Sequence, residues 1–199
     1  MERQGILSSD CSPGERFISD YKALKDTVEA IRALGGRVVL TSGSFDLAHI
    51  GHARYLREAR LRGDFLIVGV ESDERVRARK GDNRPIVPEA ERVESLTHLR
   101  YVDVVTIKGA KDQKWKLIKC VRPDVLVISE RTGYSNEKVV ALGEFCGEVV
   151  NLESQAETST SARLREMQIE VLGPAIDIMR TAIHSFQDGL EKLEKMNGG

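Results

Sequence analysis

Residues 37–60 constrain the fold of this chain more than any other stretch. They open with an apolar run at 38–40, whose two valines and leucine are typical of a buried strand. A glycine turn at 42–44 follows, and beyond His49 and His52 the apolar residues recur at helical spacing. The stretch therefore predicts a strand, a turn and a helix. Such a junction gathers unpaired backbone N–H groups at the positive end of a helix dipole, which favours an anion.

The rest of the chain alternates between short apolar runs and segments with helical spacing. The predicted strands are 38–40, 65–70, 102–107, 124–128 and 148–152, and the predicted helices are 17–34, the segment after the histidines, 71–80, 88–99, 115–121 and 136–145. This alternation predicts an α/β fold, a Rossmann-like parallel five-stranded sheet with helices on both faces and a C-terminal helical extension. Ligands of such sheets bind beyond the carboxyl ends of the strands, and the first strand leads directly into the histidines.

Charge and cysteine content exclude several classes of protein. The chain has 30 basic and 31 acidic residues and a net charge of −1, which argues against a nucleic-acid partner but allows a local phosphate site. Its three cysteines are irregularly spaced and form neither a disulfide framework nor a zinc pattern. No apolar run approaches the ~20 residues that span a bilayer, and the N-terminus lacks a signal-peptide pattern. We therefore expect a cytoplasmic protein with no membrane partner.

His49 and His52 are three residues apart at a helix start, so both rings can face the same side. Phosphoryl transfer needs donors aimed at oxygens where negative charge develops, and two imidazoles beside a helix N-terminus supply them. Two capping or core histidines are a plainer interpretation. Metal ligation is another, but no third His, Cys or carboxylate falls at a convincing spacing, so we expect no protein-bound metal.

The sequence GSFDLAHIGH at 43–52 resembles the signature of the HxGH nucleotidyltransferase superfamily, in particular its cytidylyltransferase-like branch. Ser159, Thr160 and Ser161 stand where that superfamily carries a second, hydroxyl-rich signature. The segment KGDNRP at 80–85, with Pro88 and the pair Glu91-Arg92, resembles the nucleotidyltransferase part of the ADP-heptose synthesis enzymes. The resemblance covers residues 38–165, and its three motifs specify the superfamily more strongly than the substrate.

The resemblance implies an enzyme that transfers a nucleoside monophosphate unit from a nucleoside triphosphate to a phosphorylated small molecule and releases pyrophosphate. AMP and a sugar phosphate are the favoured pair, and Mg²⁺ would accompany the triphosphate. A CTP-dependent enzyme acting on a polyol or amino-alcohol phosphate is the first alternative. A non-catalytic nucleotide-binding sensor or scaffold is the second. A dinucleotide-binding oxidoreductase is excluded because the turn lacks a G-x-G-x-x-G pattern.

The resemblance also implies roles for individual residues. His49 and His52 would hold the α- and β-phosphates, Lys80 would close over them from a mobile loop, and Arg92 would face the active site. The remaining nucleotide and phosphate contacts would come from Gly43, Ser44, Phe45, Asp46, Ser159, Thr160 and Ser161. Plainer interpretations remain: Lys80 belongs to a basic run that a solvated face would explain, Asp46 could serve only the turn, and Arg92 could lie on a helix surface.

The acceptor side departs from the family pattern. The heptose enzymes continue their fourth strand with Lys-Gly-Gly-Asp, whereas this chain has SERTGY at 129–134, where Glu130 and Arg131 are candidate acceptor-binding residues. The glycerol- and choline-phosphate enzymes carry Arg-Thr-Glu-Gly before the hydroxyl signature, where this chain has SQAE at 154–157. Both substrates therefore stay open at this point.

The chain divides into three predicted parts. Residues 1–35 form an arm and a helix, 36–168 the nucleotidyltransferase domain, and 169–199 a C-terminal helix. The apolar residues of this helix recur in steps of three and four: Ile176, Met179, Ile183, Phe186, Leu190 and Leu193. A stripe of this kind packs on a partner or on the flank of the domain. Because the resemblance also implies a family whose members commonly dimerise, we predict a homodimer.

Overall fold

The computed structural model describes residues 12–130, 134–153, 155, 172, 174–176, 178–184 and 186–187. A short 3₁₀ turn, Pro13–Arg16, comes first. The helices are α1 (Tyr21–Ala33), α2 (Ile50–Arg60), α3 (Asp73–Lys80), α4 (Glu89–Thr97), α5 (Lys116–Val121) and α6 (Asn136–Leu142). The strands are β1 (Val38–Gly43), β2 (Phe65–Glu71), β3 (Val104–Lys108), β4 (Val125–Ser129) and β5 (Glu148–Leu152).

Within the described residues, the five strands form one parallel sheet in the order β3-β2-β1-β4-β5. From the central strand β1 the chain continues to β2 and β3 on one side, and it then crosses to β4 and β5 on the other. The carboxyl ends of β1 and β4 therefore flank a topological switch point, where open α/β sheets bind their ligands. The Rossmann-like prediction is confirmed.

Different helices cover the two faces of the sheet. Val39 of β1 packs in a core with Leu56 of α2 and residues of α4, whereas its neighbour Leu40 packs with Leu24 of α1 and residues of α5 and α6. Because both faces are buried, the strands read as continuous apolar runs in the sequence rather than as alternating patterns. This arrangement holds α2 against one face, with its first residue at the carboxyl edge of β1.

Several element boundaries differ by a few residues from those predicted, and two of the differences have an identifiable cause. The first long helix begins at Tyr21 rather than at Phe17, because Phe17 forms a β-bridge with Val105 and Asp20 caps the helix. Glu71 ends β2 rather than opening the next helix, since the Ser72 hydroxyl accepts an N–H of the first turn of α3. Glu71 consequently lies at the carboxyl edge of the sheet.

The chain forms two compact units, residues 1–157 and 158–199. In the second unit the described residues between 172 and 187 are helical, and Ile176, Met179, Ile183 and Phe186 are exposed. Leu190 and Leu193, the last members of the predicted stripe, lie outside the described residues. The division into parts at 35 and 168 stays a prediction. None of the helices in the described part of the chain is long and apolar enough to cross a membrane.

Candidate active site

The turn after β1 redirects the chain sharply at the carboxyl edge of the sheet. Phe45 and Leu47 have left-handed backbone angles, with φ of 49° and 47°, a conformation that costs a non-glycine residue roughly 1–2 kcal/mol. A Cβ on Gly43 would lie 3.3 Å from the Phe45 ring, so the glycine lets this ring fold back into the core. The strained turn delivers the chain directly to the N-terminus of α2, where helix N–H groups are available to an anion.

The backbone of α2 sets the tautomers of both histidines. Nδ1 of His49, the N-cap, accepts the N–H of Gly51 at 3.1 Å, and Nδ1 of His52 accepts the N–H of His49 at 3.2 Å. A neutral imidazole that accepts at Nδ1 carries its proton on Nε2. The two ring centroids lie 4.2 Å apart, and the Phe45 ring packs edge-on against His52 at 5.7 Å. The site thus holds two adjacent imidazoles that both have Nε2–H as their donor.

Lys80, the last residue of α3, reaches across to the same turn. Its Nζ lies 2.9 Å from Oγ of Ser44. Partial burial and the neighbouring Arg79 lower the pKa of the Lys80 ammonium from its usual value. This contact places a cation directly beside the turn and the histidines that follow it.

Arg92 of α4 is hydrogen-bonded to the turn after β1. Its side chain is 1% exposed, and all its described bonds go to protein groups. Nη1 donates to the carbonyl oxygen of Ser44, Nε to that of Val87 at 2.9 Å, and Nη2 to the Asp73 carboxylate at 2.7 Å. In this structure Arg92 is therefore a positioning residue that joins the turn to α3 and α4.

Asp46 joins the turn to the loop between α3 and α4. Its carboxylate is 4% exposed and accepts the guanidinium of Arg84 at 2.9 Å and the backbone N–H groups of Ile86 and Val87, both at 3.0 Å. Burial alone would raise the pKa of Asp46, but the bonds from Val87, Ile86 and Arg84 outweigh it and lower the pKa. The loop that follows Lys80 is therefore tied to the turn by one carboxylate.

Tyr55 fixes α2 to the two strands that flank the switch point. Its hydroxyl lies 2.7 Å from Oγ1 of Thr41 on β1 and donates to the carbonyl oxygen of Val127 on β4 at 3.3 Å. Burial raises the pKa of this hydroxyl to about 12, although the bond to Thr41 lowers it. The helix that carries the histidines is thereby held in register with the edge of the sheet.

A family model described as cytidylyltransferase-like matches residues 40–181, which contain the turn, both histidines, Lys80 and Arg92. The chain belongs to the cytidylyltransferase-like family. It is 38% identical over 157 residues to the bifunctional protein HldE of a Nitratiruptor species, a match of 79% of this chain and 33% of the relative. The bifunctional protein HldE of a Helicobacter pylori strain is 42% identical over 132 residues, 66% of this chain and 28% of the relative. The chain thus spans at most about a third of the length of these curated relatives.

Two solved structures are similar to this chain. The lipopolysaccharide core biosynthesis protein of Thermoplasma volcanium is 27% identical with a TM-score of 0.54, and the match covers 60% of this chain and 98% of that protein. Pantoate-beta-alanine ligase of Francisella tularensis has a TM-score of 0.54 at 14% identity, covering 82% of this chain and 78% of that one. The second likeness concerns the fold alone.

The sequence singled out most of the residues that meet at this cytidylyltransferase-like turn. The structure brings together Gly43, Ser44, Phe45, Asp46, His49, His52, Lys80 and Arg92. Glu130 directly follows β4 and is exposed. Arg131 and the hydroxyl-rich Ser159, Thr160 and Ser161 lie outside the described residues, so their binding roles stay predictions.

Sequence reasoning missed two residues of the cytidylyltransferase-like site. Arg84, which pairs with Asp46, lies in the motif at 80–85 but has no role assigned from the sequence. Lys108 ends β3 and reaches Ser42 on β1, with Nζ 3.0 Å from Oγ. Its position at the carboxyl end of a strand was the available signal, since polar side chains there face the ligand edge of a parallel sheet.

Proposed function

We propose that this chain is a nucleotidyltransferase that transfers AMP from ATP to a sugar phosphate and releases pyrophosphate. The observation that carries the proposal is the pair of Nε2-protonated imidazoles, His49 and His52, at the start of α2 beside the Lys80–Ser44 contact. Phosphoryl transfer depends mainly on positioned donors and cations rather than on covalent catalysis. This cluster supplies both at a helix N-terminus.

In the proposed reaction, an oxygen of the acceptor phosphate bonds to the α-phosphorus of ATP. The bond from that phosphorus to the oxygen that bridges the α- and β-phosphates breaks, and pyrophosphate leaves with the electron pair. His49 and His52 donate hydrogen bonds to phosphate oxygens as charge develops on them, and Lys80 offsets the charge of the departing group. The N–H groups of the turn at 43–45 and the dipole of α2 add to the same stabilisation.

Mg²⁺ enters this proposal as part of the substrate. No three His, Cys, Asp or Glu side chains cluster as metal ligands anywhere in the described part of the chain. The Asp46 carboxylate is engaged by Arg84, Ile86 and Val87. In this proposal phosphate oxygens and water provide the oxygen ligands that Mg²⁺ prefers, and the ion neutralises charge on the triphosphate.

The choice of ATP and a sugar phosphate rests on two likenesses. The segment 80–85 and the pair Glu91-Arg92 resemble the ADP-heptose synthesis enzymes, and the Thermoplasma volcanium relative is a lipopolysaccharide core biosynthesis protein. A CTP-dependent transfer to a polyol or amino-alcohol phosphate is the alternative within the same reaction class. From the balanced charge and the cysteine pattern we also propose a cytoplasmic protein without a nucleic-acid partner.

Pyrophosphate release tests the proposal. The chain is incubated with Mg²⁺ and ATP, CTP, GTP or UTP in turn, against a panel of sugar, polyol and amino-alcohol phosphates that begins with heptose 1-phosphate. We expect release with ATP and a sugar phosphate. Release only with CTP would mean that CTP rather than ATP is the nucleotide substrate, while the reaction class would stay the same. Nucleotide binding by calorimetry without any release would contradict the enzyme and favour a nucleotide sensor.

A further inference from the structure

A second lysine reaches the carboxyl edge of β1 by crossing a whole strand. Lys108 lies on β3 and donates to Ser42 on β1, and β2 runs between these two strands. The crossing passes over Gly69 of β2, where an added Cβ would collide with Cδ2 of Leu117 and lie 3.2 Å from both Cδ of Lys108 and Cβ of Ser42. The absence of a side chain at Gly69 therefore leaves room for the Leu117 side chain and for the Lys108 stem that brings the ammonium to β1.

Positive charge is in excess around Lys108. Glu71, its register partner on β2, is buried and bonded by Arg79, with Arg75 at 3.7 Å. The Lys108 ammonium bonds the Ser42 hydroxyl and forms no ion pair with any residue in the described ranges. A second carboxylate, Asp112, also acts on Lys108 but is paired with Lys116 at 2.7 Å. Four cations thus face two carboxylates, and two positive charges are left over at this end of the sheet.

The surroundings do not compensate the charge of Lys108. Burial, with smaller contributions from Arg75 and Arg79, lowers the pKa of its ammonium, and the carboxylates of Glu71 and Asp112 only partly oppose this effect. A serine hydroxyl satisfies a hydrogen bond without supplying a countercharge, and removing a cation even partly from water without one is costly. Lys108 is half-buried. A half-buried cation that lacks a carboxylate partner and lies at a ligand edge is a candidate binding group for an anion.

Lys108 lies close to the turn after β1, where we propose that the nucleotide phosphates bind. Lys108 contacts Ser42 and Lys80 contacts Ser44. These serines are two residues apart at the end of β1, so their Cα atoms are about 7 Å apart at most. The two lysines come from different elements and thus address neighbouring points of one edge. A transfer between two phosphorylated reactants needs such an arrangement, because both phosphates must approach despite their repulsion.

We propose that Lys108 and Ser42 bind the attacking phosphate of the acceptor, so that Lys108 selects for phosphorylated acceptors. The inference rests on the proposed function and adds to it the binding site of the second substrate. The ammonium offsets the repulsion between the acceptor dianion and the triphosphate, and the Ser42 hydroxyl fixes the ammonium in place. The excess of two positive charges matches a phosphate monoester dianion.

Steady-state kinetics of Lys108→Met test the site. Methionine keeps most of the stem over Gly69 and removes the charge, and Lys111→Met is the matched control, because Lys111 is exposed in the loop after β3. We expect KM for the sugar phosphate to rise roughly tenfold to hundredfold, as for a lost hydrogen bond to a charged group. KM for ATP should stay within about twofold. An unchanged KM for the acceptor, or an equal rise in both KM values, would overturn the inference.

Calorimetry separates this inference from the proposed function. Inorganic phosphate is titrated into the chain saturated with α,β-methylene-ATP and Mg²⁺, a measurement that needs no turnover. We expect phosphate binding by the unsubstituted chain and by Lys111→Met but not by Lys108→Met. If no acceptor gives pyrophosphate while this pattern holds, the proposed function fails and the anion site stands. Binding by Lys108→Met equal to that of the unsubstituted chain, or no binding by the unsubstituted chain, removes the site.

Ser42→Ala provides a second variant if Lys108→Met does not fold. It removes the hydroxyl that seats the ammonium and keeps the charge. We expect a rise of a few fold in KM for the acceptor, since one neutral hydrogen-bond partner is lost, and weaker phosphate binding in the calorimeter. Unchanged values in both measurements would count against the proposal.

Discussion

At the scale of single residues, hydrogen bonds from the backbone determine what His49 and His52 can donate. Each Nδ1 is used as an acceptor inside the first turn of α2, which leaves the proton on Nε2. A histidine pair assembled in this way depends on the local backbone, which explains why the short motif at 43–52 was sufficient to find it.

We predict that His52→Ala lowers turnover by about a hundredfold or more, because a donor to developing charge is worth several kcal/mol. The rate of pyrophosphate release in the panel assay measures this effect. His98→Ala is the matched control, since His98 is an exposed imidazole at the end of α4. His52→Asn retains an acceptor near the position of Nδ1 and lacks the Nε2 donor, so it should lose turnover while it keeps the start of α2. A folded His52→Ala with near-normal turnover would refute the phosphate role.

We predict that Arg92→Met destabilises the chain by about 3 kcal/mol, because it leaves Asp73 and two carbonyl oxygens without their buried partner. Arg92→Lys should also be destabilised, since an ammonium cannot bridge three separated acceptors as a guanidinium does. Urea unfolding measures both variants against Arg100→Met, a change at an exposed arginine. A loss below about 1 kcal/mol for Arg92→Met would mean that the turn does not depend on this clamp.

At the scale of elements, the Asp46 carboxylate couples the turn after β1 to the loop between α3 and α4. Its pKa is lowered in the folded chain, so its bonds add stability above its usual pKa of 3.8. This contribution is lost as the pH falls below 3.8 through the folded value. The coupling is therefore a property of the ionised carboxylate, and protonation releases it.

We predict that Asp46→Asn lowers the free energy of unfolding by about 2 kcal/mol at pH 7. This gap in unfolding free energy between the variant and the unsubstituted chain should narrow below pH 3.8. Urea unfolding at about pH 7, 5 and 3.3 measures the gap. Asp82→Asn, at an exposed carboxylate in the same loop, is the control and should give a small, constant gap. A gap for Asp46→Asn that stays constant over this whole pH range would show that its charge does not hold the loop.

The sequence predicted elements better than it predicted contacts between them. Apolar runs gave all five described strands, because strands buried on both faces need apolar residues on both. The contact of Lys108 with Ser42 could not be predicted in this way. It depends on the register of three strands and on the glycine between them, and neither is readable from a local pattern. Arg92 was read as a surface or site residue, since nothing in its helix pattern reveals its three acceptors.

At the scale of the whole molecule, the C-terminal stripe carries the prediction of a homodimer. The described members Ile176, Met179, Ile183 and Phe186 are between 52% and 69% exposed, a large apolar surface for one helix. We expect a dimeric mass in light scattering. The variant Met179→Glu/Ile183→Glu should shift the chain to a monomer, because it charges the stripe, whereas His184→Glu on the same helix should not. A monomeric mass for the unsubstituted chain at high concentration would contradict the prediction.

Because of the strand order, residues on the two sides of the candidate site can vary independently in evolution. Lys108 reaches β1 from β3 on one side of the centre, and Glu130 follows β4 on the other side. The turn at 43–46 lies between them and is fixed by Arg92, Arg84 and the backbone of α2. Under the proposed function, substitutions at the ends of β3 or β4 would change which acceptor is recognised without disturbing the donors at the turn. A lineage with this strand order would then acquire new acceptors one strand end at a time and keep its chemistry unchanged.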